Sequence, residues 1–192
     1  MSCEFLLPNF PLFPQLDNRL HPDSSCNMTS LAMCLVYLKK SRNQTYASRF
    51  AQFEDELVQR CADRGLNRRE PGVIRELTEV YGAKDELIIV EGWGAVGKAV
   101  YKLIAHLKEN KPAIIHTYLT LSGHIVCVDG VRLDSKGAPV SWHFSDSYGE
   151  FYPQGYEKNW GGDPDLGKYW LSHKSFTEKV LTDGIFWVHL LS

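Results

Sequence analysis

Apolar residues recur along the chain with two different periods, and the change of period divides the sequence into two halves. Apolar positions at helical spacing predict helices over residues 26–40, 47–64, 72–81 and 96–108. β-Branched and aromatic runs bounded by glycine and charged turns predict strands over 86–90, 113–118, 125–128, 140–144 and 185–191. Because the helices come first and the strands follow, the order indicates an α+β fold with a mainly antiparallel sheet.

The 192 residues are predicted to form a single domain with one core. Residues 1–24 contain prolines at positions 8, 11, 14 and 22, a spacing that favours an extended arm without regular structure. Residues 25–110 are predicted to be mainly helical and residues 111–192 mainly sheet. A stretch rich in aromatics and glycine, from 144 to 170, is expected to be irregular and functional.

Composition narrows the functional classes and the compartment. A formal net charge of −2 gives no overall attraction to nucleic acid or to an anionic membrane, and no segment has the length of a membrane span. The 5 cysteines are an odd number, scattered and without a CxxC pair, which favours free thiols in a reducing compartment over disulfides or a metal site. Because no signal peptide is recognisable at the N-terminus, we expect a cytoplasmic protein, with release by lysis as the alternative.

Cys26 is the candidate nucleophile. It stands where a polar, irregular segment turns into the first helical pattern, and a helix N-terminus stabilises a thiolate. Asn27, which follows it, offers a side chain for the exposed amides of the first turn. A small buried structural residue is the alternative for Cys26, and Cys34, inside the apolar stripe, is expected to be structural.

His124 and Asp146 are the candidate base and orienter. His124 follows Gly123 at the start of an apolar strand, where a glycine allows close backbone approach and aims the imidazole into a cleft. Asp146 ends the strand predicted over 140–144 and precedes a turn, so its carboxylate is suited to fixing the imidazole tautomer. Asp129 is a rival, but its odd offset from His124 along the strand directs it to the opposite face.

Several further residues are candidates for the same site. Gln15 carries a side-chain amide that would join the backbone N–H of Cys26 in binding an oxyanion. The histidines at positions 116, 143 and 189 are embedded in strand patterns and are expected to be structural. The candidate substrate contacts are Asn27, Trp93, Gly123, Tyr148 and Trp160.

The segment Gly92–Lys98 matches GxGxxG between a strand and a helix. It lacks an acidic residue at the end of a following strand, and Trp93 would crowd a phosphate turn, so a nucleotide is not expected. No metal or organic cofactor is expected either.

Taken together, these motifs resemble the peptidase C39-like family. The resemblance rests on QLDN from Gln15, CNMTSLAM from Cys26, ENKPAII from Glu109, GHIVCVDG from Gly123 and FSDSYG from Phe144. It implies a papain-like fold, with Cys26 as nucleophile, His124 as base, Asp146 as orienter and Gln15 as oxyanion donor. Asn27-Met28 and Ser147 depart from the family pattern, in which glycine or proline is common after the cysteine and proline after the aspartate.

The expected activity is hydrolysis of an amide bond in a peptide or protein through a thioester. One alternative is a peptidoglycan-peptide hydrolase of the phage lysis type, and another is a non-catalytic peptide-binding module on the same scaffold. Acyl transfer to an amine would use the same three residues. A peptide or protein is therefore the expected partner, with peptidoglycan as the alternative. Neither a membrane nor nucleic acid is expected as a partner.

Overall fold

The structure is a computed structural model that describes residues 2–152, 155–156 and 166–192. Its helices are α1 (Cys26–Tyr37), α2 (Gln44–Ala47), α3 (Phe53–Asp63), α4 (Pro71–Val80), α5 (Trp93–Lys108) and α6 (His173–Val180). Its strands are β1 (Cys3–Leu6), β2 (Asp85–Glu91), β3 (Ala113–Thr117), β4 (His124–Leu133), β5 (Pro139–Ser145), β6 (Phe151–Tyr152), β7 (Gly155–Tyr156), β8 (Lys168–Ser172) and β9 (Ile185–Leu191). Short 3-10 helices at Gln15–Asp17 and Pro22–Ser24 precede α1.

Within the described residues, a 7-stranded sheet joins most strands of the second half of the chain to β1 and β2 of the first half. Its strand order is β2-β9-β3-β4-β5-β8, with β1 paired to β4, and each of these pairings is antiparallel. The α+β class and the mainly antiparallel sheet predicted from the sequence are therefore confirmed.

Helix α1 joins the helical half to the sheet. Its residues 27–35 are all buried, because α3 and α4 cover it on one side and β3 and β4 on the other. Two hydrogen bonds fix it against β4: Ser30 Oγ donates to the Ile125 carbonyl at 3.2 Å, and the Cys127 thiol donates to the Ser30 carbonyl at 3.3 Å. The start of α1 is thereby held beside the start of β4.

The proline spacing predicted an N-terminal arm without regular structure, and this prediction is wrong for its first residues. Residues Cys3–Leu6 form β1, which pairs with Gly130–Leu133, beyond Val128 of β4, the residue opposite the first residue of β3. Gly130 permits this pairing, because a Cβ there would lie 2.9 Å from the Phe5 carbonyl oxygen and 2.8 Å from Leu6 Cδ1. The prolines lie after this strand.

Of the helix predicted over 47–64, only Phe53–Asp63 is α3; the residues before it form a turn that follows the short helix α2. Asn43 caps α2 by accepting from the backbone N–H groups of Thr45 and Tyr46 at 3.1 and 3.4 Å. The Arg42 guanidinium donates to the turn carbonyls of Phe50, Ala51 and Gln52. The break therefore depends on an arginine outside the predicted helix, which apolar spacing does not indicate.

The stretch expected to be irregular after β5 includes regular elements. The hairpin of β6 and β7 and the strand β8 lie within it, and α6 follows directly. Ser172 caps α6 by accepting from the Ser175 N–H at 3.1 Å. Within the described ranges, no helix combines the length and apolar character needed to cross a membrane.

Candidate active site

Cys26 is the first residue of α1 and is half-buried at the edge of a cavity of about 540 Å³. A buried polar network fixes the residue before it. Asn18 Nδ2 donates to Ser25 Oγ at 2.7 Å and to Thr29 Oγ1 at 2.9 Å, and the Thr29 N–H donates to the Ser25 carbonyl at 2.9 Å. The N–H groups of the first turn have no carbonyl partner within the helix, and they give this helix end a partial positive charge next to the sulfur.

His124 and Asp146 lie together at one end of the sheet. β4 begins at His124 and the antiparallel neighbour β5 ends at Ser145, so the start of one strand lies beside the end of the other. His124 Nε2 and Asp146 Oδ1 are 2.7 Å apart, and both side chains are buried. The carboxylate accepts from Nε2–H, which leaves Nδ1 for the Cys26 thiol.

Among the residues that the structure describes, Asp146 accepts hydrogen bonds from four donors. Besides His124, the Tyr148 N–H donates to Oδ1 at 2.9 Å, and the phenols of Tyr156 and Tyr169 donate to Oδ2 at 2.6 and 2.9 Å. Burial and the neighbouring carboxylate raise the pKa of both phenols, so each remains a donor. The carboxylate is therefore held in one orientation without exposure to water.

The electrostatics of Cys26 and His124 favour a thiolate and an imidazolium. Burial by itself raises the pKa of the Cys26 thiol, but the hydrogen bond and charge of His124, with the amides of Ile125 and Asn27, lower it below its ordinary value. Burial opposes the charge on His124 too, yet Asp146 and Cys26 raise the pKa of the imidazole to about 10. At neutral pH both shifts stabilise the ion pair that a thiol nucleophile requires.

Gln15 lies in the same cavity with its side chain buried. Its Oε1 accepts from Ser147 Oγ at 2.9 Å, and its Nε2 donates to the Pro22 carbonyl at 3.0 Å. Since an amide nitrogen carries two hydrogens, the second N–H is left for a group bound in the cavity.

The residues 7–175 match the model of the Peptidase C39-like family. This chain belongs to that family. Membership confirms the resemblance drawn from the sequence and the papain-like fold that it implied.

Among solved structures, this C39-like protein is similar to a double-glycine-motif protease from an AMS/PCAT transporter, crystallised in complex with the leader peptide. The two share 19% identity, the match covers 87% of this chain and 84% of that one, and the TM-score is 0.45. No curated protein matches the chain.

The other thiols of this C39-like protein have different surroundings from Cys26. All five cysteines are free, and Cys34, Cys61 and Cys127 are buried. Cys34 and Cys127 contact each other at 3.7 Å, and burial raises the pKa of Cys34; burial likewise raises the pKa of Cys61 to about 11. Cys3 is exposed in β1, outside the cavity.

The candidate substrate contacts fall into three groups. Asn27, Gly123 and Tyr148 line the cavity of Cys26, and Tyr148 packs edge-on against His124 with ring centroids 6.0 Å apart. Trp93, by contrast, borders a separate cavity of about 190 Å³ between α5 and α6, so the structure does not bring it to Cys26. Trp93 is the first residue of α5 and is not among the residues that line the cavity of Cys26. Trp160 lies outside the described residues.

Two predictions about strand residues have different outcomes. Asp129 does not contact His124; it accepts from His143 Nδ1 at 2.7 Å and from Ser145 Oγ at 3.0 Å. His116, expected to be hydrogen-bonded in place, instead lines the cavity, and its imidazole has no hydrogen bond within the described part of the chain.

Arg68 is a cavity residue that sequence reasoning missed. Its guanidinium donates to the Ser24 carbonyl and to Ser24 Oγ, and its own carbonyl accepts from Asn27 Nδ2. The residue thereby braces the segment on both sides of Cys26. Among the described residues, no cluster of three or more histidine, cysteine or acidic side chains is arranged to hold a metal ion.

Proposed function

We propose that this protein is a cysteine peptidase that cleaves an amide bond in a peptide through a thioester intermediate. One observation carries the proposal: a half-buried thiol at a helix N-terminus faces an imidazole whose Nε2 lies 2.7 Å from a buried carboxylate. Membership of a family of cysteine peptidases supports the same conclusion. We also propose, as the sequence predicted, that residues 1–192 form a single peptidase domain.

In the proposed reaction the Cys26 thiolate attacks the carbonyl carbon of the scissile amide. The carbonyl oxygen becomes an oxyanion, which accepts hydrogen bonds from Gln15 Nε2 and the backbone N–H of Cys26. His124 gives its proton to the leaving nitrogen, and the amine departs as the C–N bond breaks. Water, deprotonated by His124, then attacks the thioester and releases the acid and the thiol.

Asp146 keeps the imidazole in the orientation that this sequence needs. Its Oδ1 binds Nε2–H, so the lone pair or proton on Nδ1 faces the sulfur at every step. The carboxylate also stabilises the imidazolium that precedes proton transfer to the leaving group.

The test combines turnover with thiol labelling. Wild-type protein and Cys26→Ser are incubated with a peptide library and, separately, with purified peptidoglycan, and the products are identified by mass spectrometry. Cys3→Ser is the matched control, because that thiol is exposed and distant from the cavity. We expect cleavage of peptides by wild type and Cys3→Ser and none by Cys26→Ser.

The remaining outcomes separate the alternatives. Cleavage of peptidoglycan without cleavage of the library peptides would identify the cell-wall peptide, and not an ordinary peptide, as the substrate. An absence of turnover, with iodoacetamide labelling Cys26 no faster than Cys3 at neutral pH, would overturn the proposal in favour of a binding module. Transfer to an added amine in place of water would identify an acyltransferase.

A further inference from the structure

Trp187 and His116 form an aromatic wall on the sheet side of the cavity. β3 and β9 are neighbours with Ile115 opposite Val188, which brings His116 beside Trp187. The two rings stack with centroids 5.0 Å apart and an interplanar angle of 22°, and both line the cavity that contains Cys26.

Two buried residues behind the wall fix its indole. Trp187 Nε1–H donates to His189 Nε2 at 2.9 Å, and His189 Nδ1–H donates to Asp85 Oδ2 at 2.6 Å. His189 and Asp85 are 1% and 0% exposed in their side chains. Because Nε2 accepts and Nδ1 donates, His189 is held as one neutral tautomer, and the indole has a single favoured orientation.

The wall lies directly beside the proposed base. A Cβ on Gly123 would be 2.7 Å from His116 Nε2, so the residue that precedes His124 is in contact with the wall. A substrate group bound against Trp187 and His116 would therefore lie next to the scissile amide that reacts with Cys26.

The opposite side of the cavity has a different chemistry. Arg68, Arg69 and Glu70 line it just before α4, and Ile74 of α4, which also borders it, is only 1% exposed. The charged side chains there do not attract an apolar group. On the sheet side, burial lowers the pKa of His116, so the imidazole stacked on Trp187 is uncharged at neutral pH. An apolar side chain in this cavity gains most by contact with the wall.

We infer that Trp187, stacked on His116, is a specificity-determining residue that binds an apolar side chain flanking the scissile bond, and that Asp85 and His189 are positioning residues for it. This inference rests on the proposed peptidase function. It assigns a role to a buried pair and to a tryptophan that the proposed chemistry does not use.

The experiment compares pairs of peptides that differ only by leucine or phenylalanine against alanine at each position flanking the scissile bond. For wild type we expect one position at which the apolar residue raises kcat/KM by roughly tenfold, mainly through KM. In Trp187→Ala that ratio should fall to near one. Trp93→Ala is the matched control, since its tryptophan is 78% exposed and borders the other cavity, and it should keep the wild-type ratio.

The positioning role is tested by two variants of the same aspartate. Asp85→Asn keeps an oxygen that accepts from His189 Nδ1–H and should keep the preference and the position of the Trp187 indole N–H resonance in a nitrogen-correlated NMR spectrum. Asp85→Ala removes the acceptor and should shift that resonance and weaken the preference. The resonance is assigned by its absence in Trp187→Phe, a variant that also shows whether an aromatic ring alone preserves the ratio.

The outcomes distinguish this inference from the proposed function. Cleavage of the peptides with a ratio that Trp187→Ala leaves unchanged overturns the inference and leaves the peptidase intact. If wild type cleaves none of them, their affinities for Cys26→Ala are measured by calorimetry. If these peptides bind with an apolar preference that Trp187→Ala abolishes, the role of Trp187 is supported and the peptidase function is not. If their affinity does not depend on Trp187, both the inference and the proposed function are overturned.

Discussion

Gln15 and Ser147 are joined by two hydrogen bonds across the greater part of the chain. Ser147 Oγ donates to Gln15 Oε1 at 2.9 Å, and the Gln15 backbone N–H donates to the Ser147 carbonyl at 2.8 Å. The segment that supplies the proposed oxyanion donor is thereby fixed to the residue that follows Asp146. With Oε1 occupied, the amide nitrogen of Gln15 is the atom directed to Pro22 and the cavity.

This arrangement predicts unequal effects for two substitutions. Gln15→Ala should lower kcat by about 10²–10³ because it removes an oxyanion donor. Ser147→Ala should lower kcat by only roughly tenfold, since the amide stays but loses its fixed orientation. KM should change little in both, because the oxyanion exists only after attack.

Steady-state kinetics on a cleaved peptide measures these effects. The alkylation rate of Cys26 is the internal control, because neither substitution touches the thiol or His124. Gln15→Ala with an unchanged kcat would remove the glutamine from the proposed mechanism.

A second prediction concerns the phenols that bind Asp146. Tyr156→Phe and Tyr169→Phe each remove one donor to Oδ2 of a carboxylate that is 0% exposed. Since a hydrogen bond to a charged group contributes about 1.5–3 kcal/mol, each variant should lose free energy of unfolding in that range. Denaturant titration measures the loss.

Tyr118→Phe is the matched control for these variants. Its phenol donates to the exposed Asp183 at 3.0 Å, where water replaces a lost partner, so the loss should stay below about 0.5 kcal/mol. Equal losses in all three variants would show that burial of the Asp146 network contributes nothing.

The sequence indicated the four candidate catalytic residues and few of the residues that hold them in position. Cys26, His124 and Asp146 each stand at a boundary between a polar segment and a predicted helix or strand, and such boundaries are visible in a pattern. Gln15 lies inside the predicted arm and is indicated by its side-chain amide and by the family resemblance. Cys26, His124 and Gln15 line one cavity, and Asp146 is bound to His124 because the start of β4 lies beside the end of β5 in the antiparallel sheet.

The supporting residues had no comparable signal. Tyr156 and Tyr169 lie in an aromatic-rich stretch, but only the folding of β7 and β8 against β5 selects them from the other aromatics. Trp187 and His116 belong to strands that are far apart in sequence, and their pairing depends on β9 lying between β2 and β3. Strand order of this kind is set by long-range packing, which local periodicity does not encode.

The ion pair of Cys26 and His124 predicts a pH dependence with a defined sign. The pKa of the thiol is lowered and that of the imidazole is raised to about 10, so both shifts widen the pH range in which the thiolate–imidazolium pair is favoured. Hydrolysis should rise with ionisation of Cys26 and fall near pH 10, where His124 loses the proton needed by the leaving amine. A pH series of kcat/KM measures both limbs.

His124→Ala separates the two contributions to the thiol. Burial then acts without the opposing imidazole, so the pH at which iodoacetamide alkylates Cys26 at half its maximal rate should move upward from that of wild type. Cys3, which is exposed, supplies the reference rate within the same sample. An alkylation profile of Cys26 that coincides in the two proteins would contradict the pairing.

The last prediction concerns Gly123, whose φ of 86° and contact with His116 both exclude a side chain. In Gly123→Ala the new Cβ would lie 2.7 Å from His116 Nε2, so the imidazole or the segment before His124 has to shift. Because a displacement of about 1 Å in the base costs roughly 10²-fold in rate, activity should fall by that order. The free energy of unfolding should fall by about 1–3 kcal/mol from the backbone strain, with the contact adding to it.

Gly65→Ala is the matched control for the backbone component. Gly65 has φ of 65°, but its Cβ would meet nothing within 4 Å, so that variant carries the strain without the contact and lies away from the cavity. We expect it to lose stability and to keep full activity. The double variant Gly123→Ala with His116→Ala removes the contact and should recover part of the rate if the displaced imidazole is the cause. A rate no higher than that of Gly123→Ala alone would assign the loss to the backbone before His124.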